Sequence, residues 1–279
     1  MNPVVLLNRQ WWKTTLLAVA AIAVMVRLGI WQLDRLEQRR EFNARVQSQL
    51  DQPKLDLSGN KLGADLENME YRTVVVRGVY LHSYQVVLRN QAWESQLGVH
   101  LITPLHITGS DQFVLVDRGW IPFEDFSNGN MQQYDEPGAV AVGGMIRRSE
   151  ITAEIGGKTD RLPGPGEEPL MAWNLVNVEG IAAQTPYSFV PVYVQQAPEP
   201  GRTSLPYREL PVLELTEGPH LGYAIQWFIF ATILAIGYPL YVRRNEYAYK
   251  EAAKIRSIRP GATKPNHNHP DDRINHGHT

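Results

Sequence analysis

The 279-residue chain contains no cysteine. That excludes disulfides, thiolate metal centres, CxxC redox pairs and a cysteine nucleophile, and it suits a domain that faces an oxidising compartment without depending on it. An excess of either charge is missing too, since 27 lysines and arginines stand against 29 aspartates and glutamates. Nucleic-acid binding needs a basic field that this balance does not supply, so no nucleic acid is expected as a partner. Nor are there common catalytic signatures: HExxH, GxSxG and GxGxxG are absent. Gly157-Lys158-Thr159 imitates the end of a phosphate-binding loop, but Thr152 stands where such a loop begins with glycine, and the segment reads as an ordinary loop. No catalytic constellation emerges, and the chain is not expected to be an enzyme.

Two long apolar runs are present. Leu221 to Val242 carries no charge over about 22 residues, roughly 33 Å of helix and enough to cross a bilayer. Tyr223 and Trp227 near one end, and Tyr238 and Tyr241 near the other, resemble the aromatic belts of the headgroup regions. The first run, Thr14 to Leu33, is interrupted by Arg27 about one turn before Trp31. Lys13 and Ala18-Val19-Ala20 imitate a cleaved secretory signal, yet the apolar pattern continues to Trp31, which favours a retained span. Arg243, Arg244, Lys250, Lys254, Arg256 and Arg259 follow the second span and place the C-terminus in the cytoplasm. Two spans then return the N-terminus to the same side, in agreement with Arg9 and Lys13, whereas Arg35, Arg39, Arg40 and Arg45 argue the other way. The short segment before the first span leaves no room for a transit peptide, which favours a bacterial plasma membrane.

The expected fold is therefore a membrane protein with two transmembrane helices flanking a mostly antiparallel β (α+β) extracytoplasmic domain. Its divisions are a cytoplasmic N-terminus (1–13), a first span (14–33), a helical stalk (34–52), the β-rich domain (53–219), a second span (220–242) and a basic, then histidine-rich, disordered tail (243–279). The strands are expected at Tyr71 to Tyr80, Gln85 to Asn90, Val99 to Leu105, Gln112 to Asp117, Val140 to Arg147 and Phe189 to Gln195, each rich in β-formers and bounded by Gly, Pro, Asn or Asp. Ile151 to Pro169, with four glycines and three prolines, reads as a loop or lid, and Val176 to Gln184 as a short helix. Ala197 to Pro211 is proline-rich and reads as extended. In the tail, His267, His269, His276 and His278 are spaced to bind a divalent metal, but four flexible ligands without outer support make a poor specific site.

His220, Tyr223 and Trp227 have the i, i+3, i+7 spacing of one helical face. That arrangement is compatible with an axial haem ligand flanked by rings, and equally with an interfacial histidine beside belt aromatics. Gln226 lies roughly 9 Å below His220, and Arg27 roughly 6 Å below Trp31. Polar groups inside a span tend to find partners, so Arg27 and Gln226 are expected to face each other or a bound anionic group such as a haem propionate; the alternative is that Arg27 snorkels to the headgroups. In the β domain, Asp117-Arg118-Gly119-Trp120 reads either as a structural turn whose Arg118 pairs with a carboxylate, or as a partner-binding spot centred on Arg118 and Trp120.

Taken in order, these motifs resemble the Surfeit-locus-1 family of cytochrome c oxidase assembly factors along nearly the whole chain. The resemblance rests on Leu28-Gly29-Ile30-Trp31-Gln32-Leu33 with Arg35, Tyr71-Arg72 with Gly78-Val79-Tyr80, and Gly98 with Thr103-Pro104-Leu105. It continues through Val116-Asp117-Arg118-Gly119-Trp120-Ile121-Pro122 to His220-Leu221-Gly222-Tyr223-Ala224-Ile225-Gln226-Trp227-Phe228. It implies a non-enzymatic role in maturing haem-copper oxidase, with haem a bound and passed to the catalytic subunit, and His220 as the haem-associated histidine. The implied partners are the oxidase catalytic subunit and the haem a synthesis enzymes, besides the lipid bilayer. A scaffold that stabilises the nascent subunit without touching haem is the alternative. The long loop near residue 160 and the histidine tail lie outside the family pattern.

Overall fold

The computed structural model describes residues 6, 8, 10–58, 65–152, 157–164 and 166–258. Arg9, Arg259 and the tail histidines His267, His269, His276 and His278 lie outside these residues. The chain divides into two compact units, residues 1–38 with 217–279, and residues 39–216.

The first unit is built on the two apolar helices. Leucine, alanine and methionine, followed by glutamate, glutamine and arginine, are all good helix formers, so α1 runs unbroken from Trp12 to Leu50 across the change from apolar to charged sequence. At 39 residues it is about 58 Å long. The second helix, α4, covers His220–Ile258 and carries Pro239 inside it. It continues well past the apolar run, because Glu246, Lys250 and the alanines after Val242 favour helix as strongly as the membrane segment does. Both helices are long and apolar enough to cross a membrane.

The second unit is a β domain. Its strands are β1 (Leu55–Leu57), β2 (Thr73–Tyr80), β3 (Val86–Trp93), β4 (Gln96–Ile107), β5 (Gln112–Pro122), β6 (Ala139–Arg148), β7 (Ala172–Trp173) and β8 (Ser188–Gln196). Two short helices, α2 (Phe123–Ser127) and α3 (Val178–Ala182), join them. All six expected strands are present and the short helix falls where it was expected. Sequence reading missed β1 and β7, which are too short to show an alternation. Most pairs are antiparallel; β1–β2, β3–β7 and β5–β8 are parallel.

The sheet closes on itself through β2–β6–β8–β5–β4, because β4 returns to pair with β2 through Gly78↔Ile107 and Tyr80↔Leu105. Closure removes the open edges of these five strands, while β3 extends the sheet beyond β4 and takes β7 on its outer edge. Alternate β2 residues Val74 and Val76 point inward to meet Ile107, Val116, Val142 and Val194 in the barrel core. On the outside, Leu115 and Tyr193 pack against Trp173, Val178 and Ile181 of the β7–α3 layer. β5 is thus covered on both faces, which is why Phe113 to Ile121 is buried residue after residue instead of alternating.

β5 also runs five residues beyond its expected end at Asp117. Gly119, expected as a turn glycine, lies inside the strand with φ +109°, beside a break in the β4–β5 register between His100 and Ile102. The backbone of Tyr207 crosses there: Trp120 N donates to Tyr207 O (2.8 Å) and Tyr207 N donates to Trp120 O (2.9 Å). A Cβ at position 119 would stand 2.3 Å from Tyr207 O. Gly119→Ala is therefore expected to destabilise the folded domain by about 2 kcal/mol or more, from strained backbone and displaced Tyr207 together. Chemical denaturation of the full chain in detergent, followed by near-ultraviolet circular dichroism, would show a lowered midpoint.

Candidate functional site

Within the helix pair, Ala18, Leu36, Ala224, Ala231 and Val242 are buried. The three alanines among them let two apolar helices approach closely where there is no hydrophobic drive to join them. Gly29 is the tightest point, since a Cβ there would lie 2.8 Å from the Phe228 ring. Nearer the start of α1, the Tyr238 hydroxyl sits 2.9 Å from Thr14 Oγ1 and 2.7 Å from Thr15 Oγ1, and Trp11 meets Tyr241 edge to face at 6.1 Å.

At the other end of the pair, His220 opens α4 directly after Pro219 and is half-buried. Its Nδ1 is 2.8 Å from Gln32 Oε1 of α1. An amide oxygen only accepts, so Nδ1–H is the donor. Tyr223 is exposed and Trp227 half-buried one and two turns along, with Trp227 edge-on to Phe230 at 6.2 Å. Gln32 was not singled out from the sequence. A polar side chain in the last turn of an apolar run is the signal that could have found it.

Arg27 and Gln226 are not brought together. Both are exposed and no hydrogen bond joins them. Arg27 is two residues from Gly29, about 200° round the helix, and so lies away from the stripe that faces α4.

Arg118 and Trp120 are 0% and 2% exposed, which corrects their expected role as partner-contacting residues: the closed fold leaves neither a surface. The alternative, that Arg118 pairs with a carboxylate, is what the structure contains. Arg118 Nη1 donates to Gln85 Oε1 (3.1 Å), which also accepts from Thr103 Oγ1 (2.6 Å). Nη2 donates to the Tyr134 carbonyl and to Glu136 Oε1 (3.1 Å), and the Tyr80 ring lies 4.8 Å from the guanidinium carbon. The same Glu136 oxygen accepts from Arg208 Nη2 (3.0 Å) and stands 3.7 Å from Arg202 Nη2, while Arg208 also bonds Glu199 and, through Nε, the Arg118 carbonyl (3.2 Å). Trp120 stacks on Tyr207 at 6.0 Å, and its neighbour Asp117 pairs with His100 Nδ1 (2.9 Å), not with Arg118. Glu136, Arg202 and Arg208 come from segments distant in sequence, so no local pattern pointed to them.

Burial by itself would raise the carboxyl pKa of Glu136, but the Arg118 hydrogen bond and charge, with Arg208 and Arg202 behind them, bring it below its ordinary 4.5. For His100, burial would lower the pKa, and the Asp117 carboxylate overrides it and raises the imidazole above 6.5. What Glu136 contributes to stability is therefore complete above pH 4.5 and is lost as pH falls through its lower folded value. What His100 contributes is complete below pH 6.5 and is lost as pH rises through its higher folded value. Denaturation midpoints should accordingly decline at both ends of that range, and His100→Gln should flatten the alkaline side only. Arg118→Met leaves the Tyr134 carbonyl without its donor, Gln85 with Thr103 alone and Glu136 with two arginines of three, and should cost about 3 kcal/mol at pH 7 in the same measurement.

Gly157 and Lys158, from the sequence that imitates a phosphate-binding loop, border an open cleft of about 1000 Å³ with Arg89 and Asn174. Residues 153–156 of that segment lie outside the described residues, and 157–164 form neither strand nor helix. Among the described residues, no cluster of three or more His, Asp or Glu side chains could hold a metal ion.

The sequence matches the SURF1 family over residues 19–232. A SURF1-like protein of Rickettsia prowazekii is 28% identical over 259 residues, which cover 88% of this chain and 96% of that protein. A SURF1-like protein of Caenorhabditis briggsae is 23% identical over 251 residues, 80% of this chain and 74% of its own. Human Surfeit locus protein 1 is 27% identical over 154 residues, about half of each chain (50% and 49%).

Proposed function

The chain belongs to the SURF1 family, and on that premise we propose that it is a membrane-anchored assembly factor of haem-copper cytochrome c oxidase, which holds haem a at His220 and assists its insertion into the catalytic subunit. The observation that carries this reading is an imidazole built into the junction of two membrane helices, tied to Gln32 by a hydrogen bond from Nδ1 and followed on its own face by Tyr223 and Trp227. Haem, when bound, would supply an iron atom able to accept an electron pair from the His220 imidazole. The chain's part is to present His220 at one depth, to offer aromatic surface to a flat apolar macrocycle, and to keep both at the membrane boundary. His220, Tyr223 and Trp227 fit that task. Arg27 and Gln226, exposed and apart from each other, are assigned to the surrounding bilayer or to a propionate reaching past the helix pair.

The remaining features are consistent with this role. Basic residues after Val242 support a cytoplasmic C-terminus, hence a cytoplasmic N-terminus and an extracytoplasmic β domain in a bacterial plasma membrane. Loading a cofactor onto a nascent subunit requires no nucleophile or acid–base pair, and the reading is non-enzymatic. The oxidase catalytic subunit and the enzymes that make haem a are the proposed partners.

The test is the visible absorption spectrum of the detergent-purified chain, expressed together with haem a synthesis, against His220→Ala of equal folded yield. A haem band in the parent that is reduced at least tenfold in the variant is expected. Oxidase subunits co-purifying with no haem band in either protein would replace the haem reading with that of a protein-binding scaffold.

A further inference from the structure

An imidazole offers two nitrogens, and only one is fixed here. His220 Nδ1 is bound to the amide oxygen of Gln32 at 2.8 Å. That oxygen cannot donate, so the proton of the neutral ring resides on Nδ1 and the lone pair on Nε2. Free imidazole prefers the opposite arrangement, with its proton on the distal nitrogen. Without Gln32, the outward nitrogen would carry a hydrogen. Among the described residues no hydrogen bond reaches Nε2.

A second observation concerns access. The chain enters α4 through Gly218, whose φ of +67° is a left-handed conformation. A Cβ at that position would lie 3.6 Å from Nε2 and 3.5 Å from Cδ2, over the same edge of the ring that the hydrogen bond leaves free. Glycine adds no side chain against that edge. One residue thus sets the lone pair outward, and another places no side chain beside it.

We infer that Gln32 is a positioning residue that holds His220 with Nε2 unprotonated and open, so that the site takes an electron-pair-accepting metal centre and rejects an anion. A carboxylate or phosphate would meet a lone pair instead of a proton at Nε2. The identity of the metal centre as haem iron rests on the function proposed above; the tautomer does not. Outer partners of this kind set both the orientation and the basicity of a ligating imidazole, and their loss typically weakens metal binding 10–100-fold.

The experiment uses the full chain in detergent, labelled with ¹⁵N-histidine, and assigns the His220 nitrogens by difference from His220→Asn. In the parent, Nδ1 is expected to resonate as a protonated and Nε2 as an unprotonated nitrogen. Gln32→Leu should move most of the proton to Nε2, while Gln32→Glu, which keeps an acceptor oxygen, should preserve the parent pattern. Titration with ferric haem should show affinity falling about 10–100-fold in Gln32→Leu and retained in Gln32→Glu. An unchanged His220 tautomer in Gln32→Leu, or haem affinity equal to that of the parent, would overturn the inference. A tautomer that shifts in a protein that binds no haem in any form would overturn the haem reading alone and uphold the role of Gln32.

Discussion

A guanidinium without solvent must find its hydrogen-bond partners inside the protein, and Arg118 imposes that requirement on the whole β domain. Its charge is answered by Glu136 from the segment after α2, and its two terminal nitrogens donate also to Gln85 and the Tyr134 carbonyl. Arg208 and Arg202 approach the same carboxylate from the extended segment after β8. Because charge repulsion would part three arginines with no acid between them, the position of Glu136 orders two irregular segments at once. The strap that carries Tyr207 is held against the bulged end of β5 by the same logic, with two backbone hydrogen bonds and a stacked tryptophan. Polar contacts thus hold irregular chain against this barrel, beside the apolar packing of Met131 and Tyr134.

The helix pair is organised by a different constraint. In an apolar medium, helices gain little from hydrophobicity and must gain from fit and from polar contacts instead. Gly29 beneath Phe228, Tyr238 between two threonines, and His220 against Gln32 supply fit in the middle and polar contacts at either end.

Arg27 illustrates how far one-dimensional reading extends. Its depth in the run was legible, and so was the oddity of a charge there, but the side chain with which it would share a face depended on which stripe of α1 met α4. Gly29 and Ala18 decided that, and they turn Arg27 to the far side. Likewise Arg118 and Trp120 look like recognition residues when read as a turn, because the groups that bury them, Glu136 and Arg208 around one and Tyr207 against the other, come from distant segments that periodicity cannot reveal. Gln32 lay in full view within Leu28 to Leu33 and gained meaning only when His220, 188 positions away, was found beside it.

What the sequence determined by itself was whatever depends on near neighbours. Two runs of apolar residues dictate two long helices, six alternating or continuous β-rich segments dictate six of the eight strands, and proline and glycine punctuate them. The succession of short motifs was enough to indicate the family. What only the tertiary structure decided was whatever depends on residues meeting across long stretches of chain. The closure of β2 on β4, the burial of Arg118, the three arginines around Glu136 and the choice of a free nitrogen on His220 belong there. Each is fixed by directional contacts between distant groups, and local propensity carries no information about which distant group will arrive.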